Sequence, residues 1–357
     1  MFNPLNLLKK TTKAPGNFVA LDFGTTSTKA FIFSLDDQTQ LLGQGQGTPA
    51  EAVEQAATQA GLRPQQAVVG IGRESVWCLT TTVRLNRPNP ETEIDSKEVE
   101  GLNEQVFRTA LMQATPQMSQ FLGDPELNLQ LIDSDVLFYK IDGQIINNAL
   151  GQKGKVLECS IFTAYSPTAH LSQLSETLKE LNLNLWAVSS LMSLFIKTLA
   201  GDNPSDFNAI VMDIGGKVTD IAVVFGGGIW GSRPLSLGGE TFTKAISSEE
   251  KKIAYATHQL RDEEVPNIKE ALKPALELWL AGIETTLADF EGIKTFPNKI
   301  ILIGGGARLE DVREGLSTYP LTRTLAFASP PAVEVRADIG PQDMGLIAKD
   351  IKGESHA

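Results

Sequence analysis

The sequence predicts an α/β protein of two lobes, with an α+β subdomain inserted into the first. Three observations predict it. The chain has 357 residues, too many for one ordinary core and about right for two. Two distant stretches, "NFVALDFGTTSTKAFIFSLD" and "NAIVMDIGGKVTDIAVVFGGGIWGSRPLSL", open alike as strand, small-residue turn and strand, a weak internal repeat. Between them, residues from about 73 to 160 mix strands, turns and one amphipathic helix in a character unlike either stretch.

The elements follow in order. A hairpin is expected from Phe18 to Ser34, then a helix over Ala50 to Ala60, then "QAVVGIG" as a buried strand ending on glycine. In the insertion a long strand, Val76 to Leu85, leads through a Pro/Asn/Glu turn to an amphipathic helix from about Asp95 to Ala114. Further strands turn at Asp142-Gly143 and at Gly151, and "SIFTAYSP" reads as a strand that returns to the first lobe. A helix over Pro167 to Leu181, then a strand and helix over Leu185 to Ala200, complete that lobe. After the second hairpin, a long amphipathic helix at about Asn267 to Phe290 precedes "KIILIGGGARLEDVREGL". That piece reads as a buried strand, a glycine loop and a helix from Arg308 to Leu316.

Composition narrows the function classes. Hydrophobic residues are 42% and charged residues 21%, ordinary for a globular chain. A net charge of -12 argues against nucleic acid as a partner, since that needs a basic footprint. The two cysteines, Cys78 and Cys159, lie in apolar strand contexts and read as core residues of a reducing compartment. The three histidines are scattered without metal spacing, and no apolar run reaches the roughly 18 residues of a membrane-spanning helix. "MFNPLNLLKKTTK" has its apolar part before its basic part and does not read as a secretory signal. It does place Phe2, Leu5 and Leu8 on one helical face, followed by Lys9, Lys10 and Lys13, so residues 1–13 are a candidate contact with an anionic membrane surface.

The chemistry lies in three glycine-rich turns, each after an apolar strand. In the first, Asp22 ends a strand and Gly24, Thr25, Thr26 and Ser27 form the turn, with Lys29 beyond it. Small residues free successive backbone N–H groups to face a phosphate, and the hydroxyls add donors. In the second, Asp213, Gly215, Gly216 and Thr219 repeat that chemistry, with Lys217 where a third small residue is expected. Two such turns facing each other would clamp a polyphosphate, and Asp22 and Asp213 would hold hydrated Mg²⁺ between them. The third turn, Gly304, Gly305 and Gly306, would let a nucleoside lie against the backbone.

Order and spacing together resemble the actin-like ATPase superfamily, whose fold is ribonuclease H-like. "LGGETFTKAI", with Gly238 and Gly239, is similar to a helix start of the FtsA and PilM branch, and "YKIDGQIINNALGQKGKVLECSIF" is similar to the subdomain inserted in FtsA. The resemblance implies subdomain 1A over 18–72 and 161–200, an insertion like subdomain 1C over 73–160, and subdomain 2A over 201–245 and 271–345. It leaves a reduced subdomain 2B over 246–270 and tails at 1–17 and 346–357. It implies ATP and Mg as ligands, with Gly238 and Gly239 joining the binding residues. It further implies self-association into filaments through the insertion, a protein partner in the division or pilus machinery, and a place in the cytoplasm at the inner face of the cell membrane.

Departures from the family pattern bear on turnover. Lys217 and Val218 replace a glycine and a threonine, and a lysine tolerates positive φ poorly if the turn needs it. Before the helix at Leu191 the family carries a carboxylate near the attacking water, and here stand Ser189 and Ser190. Both point to slow or absent hydrolysis. "EEKKIAY", residues 249–255, reads as a solvated charged helix before it reads as an adenosine contact. Division and pilus roles stay open, as does an inactive adaptor that has lost the nucleotide. A small-molecule kinase would need an aspartate base near residues 189–200, where the sequence has none.

Overall fold

The computed structural model describes residues 16–24, 27–35, 39–72, 75–201, 204–245, 265–336, 340 and 344–345. In the first lobe β1 (Asn17–Phe23) and β2 (Thr28–Ser34) form the expected hairpin, with Asp22 opposite Lys29. β3 (Gln40–Gly47) lies antiparallel outside β2, and β4 (Gln66–Ile71) and β9 (Asn184–Ser190) add in parallel beyond β1. The sheet order is β3-β2-β1-β4-β9.

The second lobe repeats this plan. Its strands are β10 (Ala209–Ile214), β11 (Thr219–Phe225), β12 (Gly228–Leu235), β13 (Lys299–Ile303) and β14 (Ala332–Val335), in the order β12-β11-β10-β13-β14. Asp213 stands one residue before the end of β10, as Asp22 does in β1. β10 is buried at every residue, as expected of a strand with a parallel neighbour and cover on both faces.

Helix α1 (Pro49–Ala60) starts on a capping box between Thr48 and Glu51 and ends at Gly61 in the left-handed region. It packs on β3, where glycines admit it: a Cβ at Gly45 would lie 2.1 Å from the carbonyl oxygen of Ala52. Helix α2 (Ser96–Leu122) continues past the expected end at Ala114. Its buried stripe, Leu102, Val106, Ala110, Ala114 and Met118, keeps a four-residue step through that point, and Gly123 stops it. The remaining helices are α3 (Thr168–Glu180), α4 (Leu191–Ala200), α5 (Gly239–Ala245), α6 (Val265–Ala288) and α7 (Glu310–Thr318). A 3₁₀ turn over Gly305–Arg308 precedes α7, so the helix expected from Arg308 begins two residues later. Among the described residues no helix is long and apolar enough to cross a membrane.

The insertion holds β5 (Trp77–Asn86), β6 (Leu129–Ile141), β7 (Gln144–Ile146) and β8 (Val156–Pro167). β8 is the strand expected to return to the first lobe. It pairs within the insertion's sheet, with β5 from Tyr165↔Trp77 to Val156↔Asn86 and with β6 on its other side. Its two faces serve two cores. Leu157, Cys159, Ile161 and Tyr165 pack under α2, while Phe162 and Ala164 pack with the first lobe.

The insertion also joins the second lobe. Gly231 of β12 bridges to Leu79 of β5, so both belong to one nine-stranded sheet. The Thr80 hydroxyl donates to the Ile229 carbonyl. The Arg233 guanidinium lies 5.0 Å from the Trp77 ring and 5.1 Å from the Phe290 ring, so it is held between insertion and second lobe. One apolar core contains Leu21 and Ile32 of the first lobe, Val211 and Ile303 of the second, and Cys78 and Phe162 of the insertion.

Candidate functional site

The second lobe builds its half of the site from three turns that touch. At the β10–β11 turn, Gly215 N–H donates to the Val218 carbonyl at 2.9 Å. The start of α5 docks onto that turn. Gly239 N–H donates to the Gly215 carbonyl and Glu240 N–H to the Gly216 carbonyl, both at 2.7 Å. Gly238 is needed there, since a Cβ would lie 2.6 Å from both the Gly215 and the Gly216 carbonyl oxygens. Gly304 brings in the third turn. Its φ is 86°, and a Cβ would stand 2.4 Å from Asp213 Oδ1. Gly306 lies against Ile214, and Gly305 is open and exposed, with nothing within 4 Å of its Cβ position.

Asp213 is 4% exposed and Asp22 8% exposed, and each stands one residue before the end of the middle strand of its lobe's five. Cross-strand register puts Asp213 opposite Asp220. Asp213, Val211, Ala222 and Asp220 alternate onto the face that packs towards the first lobe. In the first lobe, Gly24 N–H donates to the Ser27 carbonyl at 3.2 Å, and the Gln46 amide donates to Ser27 Oγ at 3.0 Å. Thr25 and Thr26 lie outside the described residues, as do residues 1–13 and 249–255.

Two of the expected residues behave differently in place. Lys217 does not strain the turn. Among the described residues the non-glycines with positive φ are Asp142 and Asn182, and neither Gly215 nor Gly216 has positive φ. The turn therefore needs no left-handed residue, and Lys217 stands exposed at its tip. Thr219 is fully buried; its hydroxyl donates to the Leu237 carbonyl at 2.7 Å and accepts from Trp279 Nε1 at 3.0 Å. It ties the turns together from behind.

The residues can hold a phosphate and a hydrated metal. Among the described residues the amides of Gly216 and Lys217 donate to no protein acceptor, at a turn beside a buried carboxylate. Such adjacent free N–H groups form an anion-binding concavity. Among the described residues no group of three or more His, Cys, Asp or Glu side chains is placed to hold a metal directly. Asp22 and Asp213, each buried near the end of its strand, are the residues that would hold a hydrated Mg²⁺ through water.

The chain has recognisable relatives. No protein-family model matches it. It is 21% identical over 345 residues to the cell division protein FtsA of Enterococcus faecalis, covering 83% of this chain and 75% of that protein. Among solved structures, the PilM–PilN type IV pilus biogenesis complex superposes with a TM-score of 0.60 at 17% identity, covering 93% of this chain and 90% of that one. The fold is that of an actin-like ATPase of the FtsA and PilM type.

In this actin-like fold the junction of β9 and α4 carries a residue that its local sequence does not show. Ser189 Oγ donates to Asp133 Oδ2 at 2.9 Å, so β6 of the insertion brings a carboxylate to the serine pair. Ser190 caps α4 by accepting from the Ser193 amide, and lies 3.5 Å from Cys78 Sγ. Burial pushes the Cys78 thiol up to about 12, with the Asp220 charge adding to it. Cys78 of the insertion, Ser190 of the first lobe and Asp220 of the second thus meet at the boundary between the lobes. Asp133 is 56 residues from Ser189 in sequence, and no local pattern announces a contact of that range.

Proposed function

We propose that this chain is an actin-like scaffold that binds Mg-ATP between its two lobes and assembles at the inner face of the membrane, as an FtsA-like component of cell division. The observation that carries the nucleotide reading is the convergence of the Gly215, Gly238 and Gly304 turns on Asp213, with Asp22 at the equivalent place in the first lobe. When bound, the nucleotide supplies a polyphosphate long enough to be held from both lobes at once. The amides of Gly216 and Lys217 and the turn from Gly24 to Ser27 take its anionic oxygens. Lys29 and Lys217 add positive charge. Asp22 and Asp213 accept hydrogen bonds from the water around Mg²⁺. Gly239 and Gly304 to Gly306 form the surface for the nucleoside. A ligand held from both sides favours the closed arrangement of lobes, because only that arrangement makes both sets of contacts.

The sequence match to FtsA favours the division role. A PilM-like adaptor of type IV pilus assembly is the second reading, favoured by the superposition on PilM–PilN over 93% of this chain. Self-association into filaments and a machinery partner belong to both readings. Nucleotide binding, more than turnover, is the chemistry of either.

A thermal-shift titration with ATP and Mg²⁺ tests the nucleotide reading. A ligand at about 100 times its Kd stabilises the folded chain by about 2.7 kcal/mol, a shift of several degrees. Asp213→Ala should abolish that shift. No shift in the unaltered chain, or an equal shift in the variant, rejects the assignment; the first outcome identifies an adaptor without nucleotide.

A further inference from the structure

One strand joins the inserted subdomain to the glycine cluster. β12 starts at the insertion, where the Ile229 carbonyl accepts from Thr80, Gly231 bridges to Leu79, and Arg233 lies between Trp77 and Phe290. It ends at the site. Leu235 leads into Leu237, whose carbonyl takes the Thr219 hydroxyl, and on to Gly239 and Glu240, whose amides are held by Gly215 and Gly216. From Gly231 to Leu235 the strand covers about 13 Å at about 3.3 Å per residue. Pairing with β11 is unbroken from Val223↔Gly231 to Thr219↔Leu235, which keeps that stretch stiff, and the one register shift, between Val223 and Val224, lies before it. There is little slack at its far end, where Gly238 is pressed against two carbonyls.

The insertion is seated on the first lobe as well. Asp133 accepts from Ser189, and Asp135 pairs with Lys197 Nζ at 3.6 Å. A shift of the insertion on the first lobe must therefore carry β12 with it or break the Arg233 and Leu79 contacts. Packed elements of this kind move between discrete arrangements and do not deform smoothly.

We propose that β12 is a relay that makes the order of the glycine cluster depend on how the insertion is seated, so that a protein bound on the insertion changes affinity in the cleft. By linkage, a ligand in the cleft changes the affinity of the insertion for that protein by the same factor. The affinity consequence rests on the nucleotide reading above; the relay itself does not.

Hydrogen exchange on the full chain without ligand tests it. Arg233→Ala removes one of the three contacts that tie the insertion to β12 and should speed exchange of the Gly239 and Glu240 amides roughly tenfold, while α7 keeps its rates. Leu79→Cys combined with Gly231→Cys, oxidised to a disulfide, should slow the same two amides. Gly231 has room for the side chain, with its nearest neighbours 3.5 Å from a Cβ. Should Arg233→Ala not fold, Thr80→Val, which removes one donated bond, is read in the same way. Changes confined to the insertion, with Gly239 and Glu240 at their original rates in both designs, overturn the relay. Altered exchange in a chain that shows no ATP shift supports the relay and rejects the nucleotide reading alone.

Discussion

The indole N–H of Trp279 donates to the Thr219 hydroxyl at 3.0 Å, and that hydroxyl donates onward to the Leu237 carbonyl at 2.7 Å. Both side chains are fully buried. Thr219→Val keeps the shape and removes the hydroxyl, leaving the buried Trp279 donor and the half-buried Leu237 acceptor without that partner. Each costs about 1–3 kcal/mol. Urea unfolding should show a loss in that range or above it, and Thr219→Ser should recover most of it. A valine variant as stable as the parent would show that these bonds do not hold the turns.

Gly304 and Gly305 should separate cleanly under substitution. Gly304→Ala forces a side chain to φ 86°, 2.4 Å from Asp213 Oδ1. The left-handed conformation alone costs roughly 1–2 kcal/mol, and the carboxylate must also move. The variant should melt lower and lose the ATP-dependent shift. Gly305→Ala, with open space at its Cβ position, should do neither. Equal behaviour of the two would separate the Asp213 carboxylate from the binding of nucleotide.

Phosphate release should run far below the roughly 1 per second of a working enzyme, and no faster than in Asp22→Ala combined with Asp213→Ala. A steady rate near that figure would reject a binding scaffold. Lys217→Gly with Val218→Thr should raise the rate if the side chain at the turn is the obstacle. Lys217→Gly alone should change stability by about 1 kcal/mol or less, because the turn holds no strain for it to relieve.

Acid should destabilise the chain in part through His170. Burial pushes its pKa below the ordinary 6.5, and its Nδ1 lies 3.3 Å from Ser75 Oγ. The unfolded chain then takes up a proton more readily than the folded one. This contribution to stability is complete above about pH 6.5 and is lost as pH falls from there towards the depressed folded value. His170→Gln should lose less melting temperature between pH 7 and 5.5 than the parent does. Parallel slopes would show that His170 is indifferent to folding.

Residues 1–13 should bind anionic lipid weakly in one copy and firmly in an assembly. Basic residues near a charged surface contribute roughly 1 kcal/mol each, and multiple copies add. Liposome flotation compares the full chain, a chain starting at Ala14, and Leu5→Glu with Leu8→Glu. Equal flotation of all three would leave the segment without a lipid role.

Much of the fold was legible because its inner strands announce themselves. β10 and β13 are apolar runs bounded by glycine, and the same chemistry twice over marked the two lobes. β3 was not legible. "QLLGQGQG" has glycines where other strands carry apolar side chains, because the backbone of α1 occupies that space. β14 is short and half-exposed, with no alternation strong enough to read. In the site, the glycines and both aspartates were legible as local patterns. Asp133, Arg233 and Trp77 were not, since each acquires its role from a contact between distant parts of the chain. Lys217 misled the reading for a different reason. A family pattern of glycines suggested a left-handed turn, and the backbone at that point is ordinary.

Strand β8 sets a limit on modularity. An insertion is usually pictured as a cassette, clipped into a host loop and removable with little harm. Here one face of β8 belongs to the guest and the other to the host, through Phe162 and Ala164. A cut at residue 160 falls inside the strand. Excision of residues 73–160 would strip Val76, Cys78 and Ile132 from the core shared with the host, and leave the remaining half-strand that carries Phe162 and Ala164 without either neighbour. Grafting the subdomain onto another host would expose the same apolar face. The inserted piece and its host can be varied side chain by side chain along that strand, but they cannot be exchanged as blocks.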